Sequence, residues 1–440
     1  MRGVAGEYPL DAATTFAVGV ALANWVRDHP ASPQEVTSPE VVIGMDTRES
    51  GPSIAESVAG GLALSGVAAR FAGLITTPGI AHVTRTGPFA AGVMISASHN
   101  PYRDNGIKII DHSGFKLPDE QEDVLERDIF AFLKSGAPAI PKRLMVDEGL
   151  DLEYIEHLAA TLPAGLSGMR MIVDAAHGAA SFLAPALFER LGAEVECIGC
   201  APDGKNINLN CGSLHLEGLR ERVLANGADI GVAFDGDADR ALFVSHSGKI
   251  IDGDAVLLVT ALRLHAAGRL TDVVATVMSN LGLELALKRH GIGLVRTPVG
   301  DKYVLQEMER RKAPLGGEQS GHIIFRDYAT TGDGLLTALR VFEAIRESGQ
   351  SLDALTHELE TYPQLLVNVR VKNKRPLEEL DRANREIRTA EAEFGDAGRI
   401  VVRFSGTEPL ARVMVEGPEL KRVEHFANSI AAAIQADLGE

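Results

Sequence analysis

One pattern recurs three times along this 440-residue chain and limits what it can fold into. The apolar, strand-like runs are "VVIGMD" (41–46), "MRMIVDAAHG" (169–178) and "DVVATV" (272–277). Each leads through a loop and a helix-like stretch to a glycine (Gly66, Gly192, Gly291) and then a second apolar run. Strand, helix, glycine cap, strand is the βαβ signature. It places parallel strands side by side and helices on the sheet faces. Three copies predict three similar mixed α/β domains, consistent with a chain too long for a single core. From about Tyr362 the pattern changes: "LLVNVRV" alternates like a half-exposed strand, and "PLEELDRANREIRTAEAEF" reads as an amphipathic helix opened by Pro376. "RIVVRF" is another strand, so a smaller α+β domain is expected at the C-terminal end. The expected division is 1–143, 144–248, 249–361 and 362–440, with linkers near 135–144, 245–248 and 361–363. The stretch "HPASPQEVTSPE" (29–40) reads as a surface loop.

A net charge of −17 argues against a general grip on nucleic acid or an anionic membrane; a small anionic substrate could still bind, but only in a local basic pocket. No apolar run approaches the roughly 18 residues needed to span a bilayer. No basic-then-apolar secretory pattern opens the chain either, so a cytoplasmic protein is expected. Cys197, Cys200 and Cys211 lie close together. With no fourth cysteine, and with Cys197 and Cys200 on the apolar run "AEVECIGC", buried thiols are expected over a metal or redox site.

In "FDGDADR" (234–240), Asp235, Asp237 and Asp239 alternate. In extended backbone they point to one side, and three converging carboxylates call for a hard divalent cation. An EF-hand would need Gly at the sixth loop position and Glu at the twelfth; Arg240 and His246 stand there. Few ligands, all carboxylates, fit Mg²⁺ with positions left open for a phosphate, a solvated acidic turn being the alternative. "RFSGTEPLAR" (403–412) groups Arg403, Ser405, Gly406, Thr407 and Arg412 after a strand. Guanidiniums, hydroxyls and a glycine that lets backbone N–H groups approach suit a dianion; a polar hairpin is the bland reading. "GGEQSGHIIF" (316–325) supplies Glu318, Ser320 and His322, and "PVGDKY" (298–303) supplies Lys302. These groups could hold sugar hydroxyls or simply form turns.

"GVMISASHNPYRDNGIKII" (92–110) ends a strand in two hydroxyls, an imidazole and an Asn-Pro turn, and resumes at Ile107 beside Lys108. Ser98 could be a phosphorylated nucleophile lying against the metal site, or the hydroxyl of an ST-turn. A serine hydrolase is a poor fit, because the G-x-S-x-G elbow is absent.

"SASHNP", "DGDADR", "GGEQSGH" and "RFSGTEP" follow one another in this order, one per expected domain. Together with "PDGKNINLNCGS" (202–213), "TPVGDKYV" and "DYATTGDGLLTA", they make the chain resemble the α-D-phosphohexomutase superfamily over essentially its whole length. The resemblance implies four domains around a central cleft. It implies a phosphoryl group on Ser98 and Mg²⁺ held by Asp235, Asp237 and Asp239 against that phosphate. Arg240 and Lys108 would lie near the transferring group, and His99 would assist proton transfer. Glu318 and Ser320 would hold sugar hydroxyls, with His322 and Lys302 beside them. Arg403, Ser405, Gly406, Thr407 and Arg412 would clamp the non-reacting phosphate. The implied reaction passes a phosphoryl group from Ser98 to a hexose monophosphate, giving a 1,6-bisphosphate that turns around and returns its other phosphate.

Gln319, where relatives acting on glucose or mannose phosphates usually carry Met, and Gly406, where they often carry Asn, resemble the glucosamine branch. Interconversion of glucosamine 6- and 1-phosphate, a step towards UDP-N-acetylglucosamine, is the expected activity. Action on glucose or mannose phosphates, or a non-catalytic sugar-phosphate-binding paralogue, are the alternatives. A monomer or homodimer is expected. Relatives also carry about ten residues before the equivalent of Arg2, which would lie near the phosphoserine. The expectation is therefore an upstream start, a frayed Arg2 in the chain as it stands, and poor turnover.

Overall fold

The βαβ repeat folds into three sheets of closely related layout. In the first, β1 (Arg2–Val4), β2 (Glu40–Met45), β3 (Ala68–Leu74), β4 (Phe89–Ile95) and β5 (Asp104–Asp111) lie in the order β1-β5-β4-β2-β3. The second contains β6 (Arg170–Asp174), β7 (Glu194–Ile198), β8 (Ile230–Phe234), β9 (Ala241–Ser245) and β10 (Ile250–Ile251), in the order β10-β9-β8-β6-β7. The third contains β11 (Asp272–Thr276), β12 (Gly293–Thr297), β13 (Leu315–Gly317) and β14 (Ile323–Phe325), in the order β12-β11-β13-β14. In each sheet the repeat's first strand pairs in parallel with two neighbours, and an antiparallel strand is added beyond. The protein is described here from a computed structural model covering residues 1–29, 39–405 and 409–439.

The three repeat glycines have φ of 78°, 91° and 72°, a left-handed backbone that lets the helix stop and the chain reverse into the next strand. Helix starts are set by capping side chains. Asp11, Thr76, Asp252 and Asp333 each accept a backbone N–H from the first turn of the helix that follows. One apolar core runs through all three α/β units, from Val42 and Met94 through Val173 and Phe234 to Val273 and Phe342.

The last sheet, β15 (Gln364–Arg370), β16 (Arg399–Phe404) and β17 (Leu410–Glu416), is antiparallel in the order β15-β17-β16. It packs on the helices Asp381–Phe394 and Leu420–Leu438 around a core of its own, with Val413, Phe426 and Ile430 inside. Its junction with the third unit is polar. Glu416, fully buried, accepts from the Leu281 N–H at 2.8 Å and pairs with Arg399 at 2.8 Å. Arg399 in turn donates to the carbonyls of Val277 and Ser279. Among the described residues, no helix is long and apolar enough to cross a membrane.

Three expectations are corrected. Pro376 caps only a short 3₁₀ turn, Leu377–Glu379, and the helix starts at Asp381, because the break at Leu380 lets that side chain enter the core. Cys197 and Cys200 are half-buried and joined to each other, while Cys211 is free. Arg2 is not frayed: β1 pairs antiparallel with β5, with Arg2 opposite Gly106, and the Arg2 guanidinium donates to Asn100 Oδ1 at 3.4 Å. Of the expected loop 29–40, residues 30–38 lie outside the described residues.

Candidate active site

β4 delivers its chain into a turn at the carboxyl end of the first sheet, the end where open α/β sheets bind ligands. Ser98 stands in that turn with φ of 53°, a left-handed conformation that costs a non-glycine residue about 1–3 kcal/mol and persists only where surroundings enforce it. The enforcement is visible. The Ser98 N–H donates to Ser96 Oγ at 2.9 Å, and its carbonyl accepts from Arg48 Nη2 and from Asn208 Nδ2, each at 2.9 Å. The residue is 4% exposed, and its hydroxyl donates to Asp235 Oδ2 at 2.5 Å and lies 3.5 Å from His99 Nδ1. This approach needs glycine at position 236, where a Cβ would sit 2.4 Å from the Ser98 carbonyl oxygen.

The partner loop leaves β8, again at a carboxyl end. Asp235, Asp237 and Asp239 are buried, and each offers an oxygen within 4.8 Å of the others. Asp237 Oδ1 and Asp239 Oδ1 are buried with no hydrogen-bond partner. A cluster of hard anionic oxygens, two of them acceptors without a partner, fits a divalent cation. Protein cations already crowd the loop. Lys108 pairs with Asp237, lies 3.9 Å from Asp239 and donates to Thr77 Oγ1 at 3.3 Å. Burial opposes its charge, but Asp237 and Asp239 outweigh that and raise its pKa. Arg240 Nη1 donates to His99 Nδ1 at 3.3 Å, so that nitrogen is the ring's acceptor.

Two of the three carboxyls differ sharply. Burial and the charges of Asp239 and Asp237 push Asp235 well above the usual range. Burial acts the same way on Asp239, yet His322, Lys108 and Arg240 hold it well below.

The third unit contributes less uniformly than expected. Glu318 and Ser320 are half-buried; Ser320 Oγ donates to Glu318 Oε2 at 3.1 Å, and the Gly300 N–H donates to Oε1 at 3.2 Å. His322, expected beside the sugar, is 3% exposed and lies under the aspartate loop, with Nδ1 3.5 Å from Asp239. Its Nε2 accepts the Gly332 N–H at 3.1 Å, which puts the proton on the nitrogen facing Asp239. Lys302 pairs with Asp119 of the first unit, and neighbouring Asp301 pairs with Lys116. Gln319 turns its amide to Asp252 at 3.2 Å, the cap of helix Gly253–Ala266.

In the fourth unit Arg403 and Arg412 face each other across β16 and β17, with Ser405 buried at the strand end. Like charges directly opposite in a sheet are unfavourable alone. Burial and the Arg412 charge lower the Arg403 pKa, and Lys374 adds a further cation, donating to the Ser405 carbonyl at 2.5 Å. Such a concentration of positive charge suits an anion. Gly406 and Thr407 lie outside the described residues.

Known proteins share both the order of these units and the whole chain. Residues 1–134, 152–248 and 252–362 match the α/β/α domains I, II and III of phosphoglucomutase/phosphomannomutase, and 366–433 match its C-terminal domain. The phosphoglucosamine mutase of Solibacter usitatus is 58% identical over 442 residues, covering 100% of this chain and 98% of that protein. The chain belongs to the phosphoglucomutase/phosphomannomutase family. The phosphoglucosamine mutase of Koribacter versatilis is 47% identical, covering 100% of the chain and 96% of that protein. Among solved structures, a phosphoglucomutase/phosphomannomutase family protein from Burkholderia thailandensis superposes with a TM-score of 0.80 at 24% identity, over 99% of this chain and 96% of that one. The Aspergillus fumigatus N-acetylphosphoglucosamine mutase, solved with GlcNAc-6P and magnesium, gives 0.60 at 19% identity, over 82% and 91%. At these identities the two structures show a shared fold.

This family member also positions residues that the motif reading passed over. Asp46 and Arg48, 0% and 1% exposed, sit behind the Ser98 turn, and Ser96 Oγ donates to Asp46 at 2.7 Å. The available signal was "DTR" directly after the first repeat strand: charged residues at the carboxyl end of a buried strand. Thr77 bonds Asp237 through both its hydroxyl and its N–H, docking the first residue of helix Thr77–Thr86 on the aspartate loop. Asn208, with φ of 59°, lay within "PDGKNINLNCGS" without a role of its own.

Proposed function

We propose that this enzyme interconverts glucosamine 6-phosphate and glucosamine 1-phosphate, with Ser98 as phosphoryl carrier and glucosamine 1,6-bisphosphate as intermediate. The observation that carries the reading is the 2.5 Å contact of a strained serine hydroxyl with Asp235, inside a buried three-carboxylate loop. The substrate class follows the 58% identity along the full length to a phosphoglucosamine mutase. It does not lean on Gln319, whose amide is engaged by Asp252.

In this account the Oγ–P bond of phosphoserine breaks as a sugar hydroxyl oxygen bonds to phosphorus and releases its proton. The reverse transfer, from the other end of the bisphosphate, restores phosphoserine. Asp235, Asp237 and Asp239 with Ser98 would hold Mg²⁺, which when bound neutralises charge on the phosphoryl oxygens. Lys108 and Arg240 add fixed positive charge around the same group, so most of the rate comes from positioning and electrostatics. His99, next to Ser98 Oγ, takes part in moving the hydroxyl proton, and Arg2 approaches the same turn through Asn100. Glu318 and Ser320 accept and donate bonds to sugar hydroxyls. Arg403, Ser405, Gly406, Thr407 and Arg412 hold the phosphate that is not reacting. A separate core for the fourth unit suits a clamp that must accept either phosphate.

We assign His322 to holding Asp239, and Lys302 to the seam with the first unit. The domain limits are 1–143, 144–248, 249–361 and 362–440. The enzyme works in the cytoplasm as a monomer or homodimer, supplying amino-sugar phosphate for UDP-N-acetylglucosamine. A coupled assay on glucosamine, glucose and mannose 6-phosphates tests the assignment: kcat/KM is highest for glucosamine. A higher value for glucose or mannose overturns the substrate assignment, and no conversion of any overturns the chemistry.

A further inference from the structure

Arg48 is a full positive charge with 1% exposure, and its hydrogen bonds go to neither the aspartate loop nor the phosphate clamp. All five of its N–H groups are used. Nε donates to Asp46 Oδ2 at 2.9 Å, Nη2 to the carbonyls of Ser98 and Asn100 at 2.9 Å each, and Nη1 to those of Asp104 at 3.0 Å and Pro101. Asp46 is itself tied to the turn through Ser96 Oγ, which accepts the Ser98 N–H. The segment from Ser96 to Asp104 is therefore wrapped around one guanidinium.

Two consequences follow for a phosphoryl group on Ser98. The wrapping holds Ser98 in its left-handed conformation, with the hydroxyl facing Asp235. It also gives four carbonyl oxygens of the turn a cationic donor, which offsets partial negative charge that would repel a dianion on Ser98. A buried ion pair adds little to stability compared with apolar packing, so a geometric role accounts for its presence better than a stabilising one.

We propose that Arg48 is the positioning residue that sets Ser98 for phosphoryl transfer; this rests on the reading of Ser98 as the carrier. Lysine preserves the charge but has three donors on one nitrogen and no planar fork. Arg48→Lys is expected to lower kcat roughly 100-fold, the scale of an ångström-sized misplacement, with KM for glucosamine 6-phosphate within about threefold. The sugar and distal-phosphate contacts lie on other units, which is why KM is spared.

Asn208 bonds the Ser98 and Asn100 carbonyls from the second unit at 2.9 and 3.1 Å. Asn208→Gly keeps the backbone freedom, leaves no buried charge unpaired, and is expected to lower kcat about tenfold at constant KM. It decides the matter if Arg48→Lys does not fold. Wild-type kcat in the folded variant, or a loss matched by equal loss of folded protein in thermal melts, overturns the proposal. A wild-type protein that neither turns over nor accepts phosphate on Ser98 overturns the functional reading, and the proposal with it.

Discussion

Replacing Arg403 with glutamine has two consequences of opposite sign. Arg403 and Arg412 are direct partners in the β16–β17 register, and the Arg412 charge adds to burial in disfavouring the Arg403 cation. Cross-strand pairs contribute about 0.2–1 kcal/mol each, so removing one of two opposed charges should relieve the sheet by up to that amount. In the proposed clamp the same guanidinium makes charge-assisted bonds to phosphate, worth roughly 1.5–3 kcal/mol. At 1.36 kcal/mol per factor of ten, that loss raises KM about 10- to 150-fold. Arg403→Gln should therefore melt at or slightly above the wild-type temperature while KM climbs by one to two orders of magnitude. Arg403→Lys, which keeps the charge without the fork, should fall between. Differential scanning calorimetry and steady-state kinetics on the same samples give both values. A lower melting temperature with unchanged KM would show Arg403 to be structural and refute the reasoning.

Chelation should abolish activity and Mg²⁺ restore it, and Asp239→Asn should raise the half-saturating Mg²⁺ concentration about tenfold or more; full activity in EDTA would make the loop structural. A pH effect is expected at Asp333, which accepts the Tyr154 hydroxyl at 2.8 Å and which burial pushes up to about 6 from 3.8. A carboxyl raised on folding contributes its stability in full below about 4 and loses it as pH rises through about 6, a change of roughly 3 kcal/mol. The unfolding free energy of Asp333→Asn relative to wild type should therefore rise by about that amount between pH 4 and 7 in denaturant titrations, and a flat difference would contradict the assignment.

The fold was readable because the βαβ repeat uses strong local signals: apolar strands, then a glycine whose positive φ no other residue adopts as easily. The antiparallel edge strands β1, β10 and β14 were less visible, since strands of two or three residues carry little periodicity of their own. At the site, alternating aspartates and a serine in an Asn-Pro turn declared themselves because chemistry forces those residue types together. Arg48 and Asn208 did not. Their partners are backbone carbonyls 50 and 110 residues away, and carbonyls leave no trace in a sequence. His322 and Lys302 show a related limit: a polar side chain near a motif reads as a ligand contact, and its pairing inside the protein, here with Asp239 and Asp119, is not written in the sequence.

Phosphoryl transfer through Ser98 is tested most directly in a single turnover. Wild-type protein loaded with phosphate and mapped by mass spectrometry is mixed with glucosamine 6-phosphate and Mg²⁺. The account predicts that phosphate disappears from Ser98 as an equal amount of glucosamine 1,6-bisphosphate forms, and that Ser98→Ala, folded normally, carries no phosphate and forms none. Bisphosphate produced equally by Ser98→Ala, or phosphate mapped to another residue, would contradict it.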